Sequence, residues 1–151
     1  MFSQFFSLAH LPWTLATLAM FAVAMCRGGP DERLAANTVL IGWLLSKIMF
    51  RYQGLETEWG VLVVDIGALA VFVWIALRSA RYWPLFAAGF HLLSVVTHIA
   101  RMVDPTVGGW AYLTAGIIWG YLLLATIAYG AWTSPRYAQA GAGAPATATR
   151  R

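Results

Sequence analysis

The sequence predicts an all-α fold, an integral membrane bundle of five transmembrane helices occupying residues 1–134. Three observations carry that expectation. The chain is 60% apolar and only 11% charged, against about 25% charged in a typical soluble domain, so in water it would expose large apolar patches. Apolar runs recur at about 20 residues, the length that crosses a hydrocarbon core. Eight Trp, six Tyr and eight Phe supply rings of the kind that collect at bilayer interfaces.

The expected spans are 8–26, 34–50, 60–77, 84–100 and 110–132. The first, third and fifth are apolar throughout most of their length. The second is short and contains Asn37, Ser46 and Lys47, whose long side chain can snorkel from near a helix end. The fourth is short and contains His91 and His98. Partner helices must cover these polar groups. The connections "RGGPDER", "RYQGLETEW", "RSARYW" and "RMVDPTVGG" each hold Gly, Pro or charge, the usual chain punctuators. Pro84 suits the first turn of a helix, where its missing N–H costs nothing. Links this short make neighbouring helices antiparallel. Residues 135–151, small and rich in Pro and Gly, are expected to form a disordered cytoplasmic tail.

Positive charge sets orientation. Five crossings place Arg27, Arg33, Arg78, Arg81, Arg136, Arg150 and Arg151 on one side, and Lys47, Arg51 and Arg101 on the other. The richer side is expected to be cytoplasmic, with the N-terminus outside and the C-terminus inside. The first span lacks a basic n-region and an A-x-A site, so it reads as a retained span and not a signal peptide. The lone Cys26 cannot form an intramolecular disulfide or a CxxC metal site, and reads as a free thiol at a helix end. The net charge of +4 does not indicate nucleic acid, because the arginines are dispersed between apolar runs.

Asp65 interrupts the run "WGVLVVDIGALAVF". An Asp at a span centre costs about 2.5–3.5 kcal/mol on insertion scales. Asp65 is therefore expected to face other helices, to pair with a donor, or to be protonated. The fourth span offers partners: His91, Ser94, His98 and Arg101 fall within an arc of roughly 80° at helical spacing. Antiparallel threading puts Asp65, Lys47, His98, Arg101 and also His10 in one leaflet. Asp65 thus reads as the anion of a buried cluster with Arg101 or His98 as first partner. Its plainest role is to fix helix register; the sharper alternatives are a proton or ion pathway and ligand binding.

Haem b would need imidazoles on facing helices, and His10 with His98 is the pair that shares a leaflet. A metal held by His10, Asp65 and His98 is possible by residue type, though no spacing recommends it. No cofactor is expected. Gly116 and Gly120 form a G-x-x-x-G that lets another backbone approach closely, within the bundle or in self-association. Glu56 and Glu58 read as a solvated loop. No phosphate-binding glycine loop, HExxH or G-x-S-x-G is present.

The segment "EWGVLVVDIGALAVFVWIALRSARYWPL", continuing as "FAAGFHLLSVVTHIARMVDP", resembles a group of small bacterial inner-membrane proteins. These carry an R-Y/F-W-P-L-W-like turn between two spans and an Asp in the preceding helix; Phe86 stands here where the second aromatic is usually Trp. The resemblance implies a bacterial multi-pass inner-membrane protein and no particular activity. The turn itself reads as an anchor, with Arg81 on the cytoplasmic side and Tyr82 and Trp83 at the headgroups. The expected role is a non-enzymatic structural or accessory subunit of a membrane assembly, with the lipid bilayer and a larger complex or a second copy as partners. The alternatives are a small proton-linked channel or transporter and a b-type haem protein.

Overall fold

The computed structural model describes the backbone of residues 2–53, 58–104, 106 and 108–142, and the side chains of 11–48, 59–104, 106 and 108–135. Five helices follow one another: α1 (Phe2–Arg27), α2 (Pro30–Gln53), α3 (Glu58–Arg78), α4 (Trp83–Val103) and α5 (Gly109–Ala142). No strand occurs among the described residues. Each expected span falls within one helix.

Local chemistry explains the boundaries. Gly28 closes α1 by donating its N–H to the Ala24 carbonyl at 2.9 Å. A Cβ there would lie 2.5 Å from that carbonyl oxygen and 2.7 Å from Glu32 Cβ, so the turn requires glycine. Pro30 opens α2 and Asp31 and Glu32 occupy its first turn, where carboxylates complement the helix dipole. Glu32 reaches back to accept the Gly29 N–H at 2.8 Å, the reach-back half of a capping box. Pro84 stands in the first turn of α4, and no side chain caps that end. Arg27, Arg78 and Arg101 lie in last turns, where cations are favoured.

The helices form a ring in chain order, which α5 closes by packing on α1 as well as α4. The core is narrow and built largely from small residues: Ala24, Ala35, Ala36, Ala68, Ala87 and Ala131 surround Phe72, Ile75, Leu124 and Ile127. Small side chains let backbones come close, the packing mode of helices in lipid. Large apolar residues face outward on every helix, among them Leu15, Ile41, Leu77, Phe86 and Leu113. Among the described residues, three helical stretches are long and apolar enough to cross a membrane: Trp59–Arg78, Trp83–Val103 and Gly109–Pro135. Within α1, the stretch Leu11–Arg27 is also apolar. The charged opening of α2, with Asn37, Ser46 and Lys47 further along, separates it from these.

Two expectations are corrected. The tail does not begin at residue 135: α5 continues through Pro135 to Ala142, since the Ala- and Gln-containing stretch after that proline favours helix. Residues 143–151 lie outside the described residues. The Arg81–Trp83 turn is not simply an outward anchor. Trp83 is only 4% exposed and Arg81 turns inward to Glu32, because that carboxylate, buried at the start of α2, attracts the guanidinium. Tyr82 alone of the three is exposed.

Candidate functional site: two polar clusters at opposite ends of the bundle

The first cluster centres on Asp65, near the start of α3. Because α4 runs antiparallel to α3, its C-terminal half lies beside this residue. His98 Nε2 stands 3.0 Å from Asp65 Oδ2. Tyr112, in the first turn of α5, places its hydroxyl 2.7 Å from His98 Nδ1. A carboxylate, an imidazole and a phenol from three helices are thus joined in series. With neutral His98, Nε2–H donates to Asp65 and the Tyr112 O–H donates to Nδ1. With the imidazolium, both ring nitrogens donate and Tyr112 accepts. The cluster can therefore take up a proton without losing a contact.

His91, two turns earlier on α4, is buried. Its Nε2 lies 3.0 Å from the Asp65 backbone carbonyl, to which it donates, and its ring meets Phe72 edge-on at 5.1 Å. Both histidines of α4 thus converge on Asp65, one on its carboxylate and one on its carbonyl. Arg101 lies over the Tyr112 ring at 5.8 Å. Ser94 is half-buried on the same helix. Lys47 does not belong to a buried cluster: it is exposed and its ammonium sits 4.3 Å from the Trp43 ring centroid on its own helix, a cation–π contact.

The side chain of His10 lies outside the described residues. His98 has both ring nitrogens engaged, so ligation of haem or a metal would break a bond to Asp65 or Tyr112. Among the described residues no group of three or more His, Cys, Asp or Glu is placed to hold a metal ion. The glycine pair divides. A Cβ on Gly120 would meet the Trp13 ring at 2.5 Å, whereas one on Gly116 would meet nothing within 4 Å. Gly120 therefore serves the α1–α5 contact and Gly116 faces open space.

The second cluster was not read from the sequence. Glu32, 2% exposed, forms an ion pair with Arg81. The guanidinium also donates to the Gly130 carbonyl at 2.6 Å and the Thr133 hydroxyl at 2.7 Å. With the Gly29 N–H on its other oxygen, Glu32 gathers the α1–α2 turn, the α3–α4 turn and α5 at one point. The Trp83 indole lies flat against Gly130, where a Cβ would fall 2.7 Å from the ring. Around this end Arg27 covers Trp132 at 4.1 Å and Arg78 covers Trp74 at 4.2 Å. Pro30 followed by Glu32 after two glycines is the sequence signal of the cap, but it does not name Arg81, which is 49 residues away.

Comparison with known proteins yields no match to a family model, to a curated protein or to a solved structure.

Proposed function

We propose that the chain is a five-span protein of a bacterial inner membrane, N-terminus outside and C-terminus cytoplasmic, with a non-enzymatic role as a structural or accessory subunit of a membrane assembly. One observation carries this reading: both polar clusters are spent on tying helices together. Glu32 and Arg81 bind each other and the backbone, and Asp65 holds α4 through two histidines. Short connections and a broad apolar exterior leave helix faces as the means of contact with partners. Mild-detergent purification from native membranes with chemical cross-linking tests it. A complex of defined stoichiometry is expected; a lone monomer under all gentle conditions would remove the reading.

A second reading, a proton-linked channel or transporter, rests on the Tyr112–His98–Asp65 series, each link 3.0 Å or shorter. In sealed vesicles, Asp65→Asn would then abolish pH-driven flux while the protein stays folded, and equal flux from both forms would dismiss it. A haem role would demand that His98 exchange a present hydrogen bond for iron; a Soret band that disappears in His98→Ala is its test.

A further inference from the structure

Beside the Arg81–Glu32 cluster, α4 and α5 enclose a groove of about 430 Å³. One wall is an aromatic ridge at successive i+4 positions, Tyr82 at the N-cap of α4 and Phe86 and Phe90 on the helix. These span about 12 Å along the helix at 1.5 Å per residue. The α5 wall carries Leu122 and Tyr129, with the small Ala125 leaving the hollow between them. At the end nearest the helix start the lining turns polar, with Arg81 and Thr133. Trp83 lines the same end, and its buried indole N–H has no acceptor among the described residues.

We propose that this groove is a binding site for an anionic phospholipid, its acyl chain against Phe86, Phe90 and Leu122 and its headgroup at the polar end. The amphipathic gradient runs along the helices, in the direction of a lipid in the bilayer. Charge selects the headgroup. This end of the bundle carries Arg27, Arg33, Arg78 and Arg81 against Asp31 and Glu32, so arginine remains in excess after Glu32 has taken Arg81. The exposed phenyl and phenol rings of Phe86, Tyr82 and Tyr129 form a rim of the kind that accommodates an interfacial lipid. The inference needs a bilayer around the bundle and neither reading of the Asp65 cluster.

The test reconstitutes the full chain into vesicles containing equal phosphatidylglycerol and phosphatidylcholine, re-extracts it in mild detergent and quantifies retained lipid by mass spectrometry. The wild type is expected to keep about one phosphatidylglycerol per chain, as befits a single built pocket. Ala125→Trp fills the hollow without touching Arg81 or Glu32, and should lower retention by about tenfold, the change that corresponds to one decade in affinity. Ala70→Trp, on an exposed face of α3 outside the groove, should retain lipid as the wild type does. Ala125→Leu replaces the Trp variant if size-exclusion profiles show that the latter does not fold. Equal retention by the groove variant and the Ala70 control overturns the proposal. So does equal retention of the two phospholipids. Efficient disulfide cross-linking of Cys26→Ser/Ala125→Cys chains in lipid-rich vesicles also overturns it, by showing that a second copy occupies the groove.

Discussion

Glu32 and Asp65 are both carboxylates within a helical bundle, and each is satisfied differently. Glu32 faces the guanidinium of Arg81, a group that carries its charge permanently. Removing one member of a buried pair strands the other charge, at a cost of about 3–5 kcal/mol. Glu32→Ala is therefore expected to lower the unfolding midpoint in detergent sharply, and an unchanged midpoint would show that the pair does not hold the bundle. Asp65 faces an imidazole whose contacts survive in either charge state. Tyr112→Phe deletes the last link of that series and should cost about 0.5–1.5 kcal/mol, the worth of an ordinary hydrogen bond, by the same unfolding measurement. Outside the spans, the Thr106 hydroxyl and then its amide N–H donate to Asp104 and hold that carboxyl below its ordinary value. A depressed folded pKa means that the stabilisation is present above the unfolded value and fades as pH falls through the folded one. Thr106→Ala is expected to move the Asp104 titration upward, read from its carboxylate carbon shift; an unmoved titration would deny the hydroxyl its part.

At the scale of the helix, three glycines of α5 give a graded test of packing. Gly116 faces open space, so Gly116→Ala should stabilise by about 0.5–1 kcal/mol through helix propensity alone. Gly120 meets the far edge of the half-buried Trp13 ring, which can shift, so alanine there should cost about 1 kcal/mol, the low end for overpacking. Gly130 meets the base of the buried Trp83 indole, where no such movement is open, and alanine should be the most damaging of the three. Thermal unfolding of the three variants in one detergent gives the order, and a reversed order would place these contacts elsewhere. The helices themselves were largely legible. Gly28–Gly29–Pro30 and Pro84 mark boundaries through backbone geometry that depends on adjacent residues only. The end of α5 was not legible: the small, Pro- and Gly-rich composition after residue 134 reads as a tail, yet α5 passes through Pro135 to Ala142. The role of Trp83 was also hidden: at a helix start it looks like an interfacial ring until Gly130 is brought opposite.

For the whole molecule, five crossings require the chain ends to lie on opposite sides of the membrane. Reporter fusions or impermeant labels at the two ends are expected to place the N-terminus outside and the C-terminus inside; both ends on one side would remove a span, and α2, with its charged opening turn, is the one that would go. The sequence by itself determined that the chain is helical and that its exterior suits lipid, because both follow from local composition: scarce charge, apolar runs of sufficient length, and breakers between them. It also determined that Asp65 needs an internal partner, since an isolated carboxylate at that depth is too costly. The tertiary structure decided which partners meet. His98 takes the Asp65 carboxylate, Lys47 stays outside, and Arg81 finds Glu32 across 49 residues. These pairings depend on how each helix is rotated about its own axis. That rotation is set by close contacts such as Gly130 on Trp83 and Gly120 on Trp13, which no one-dimensional pattern records.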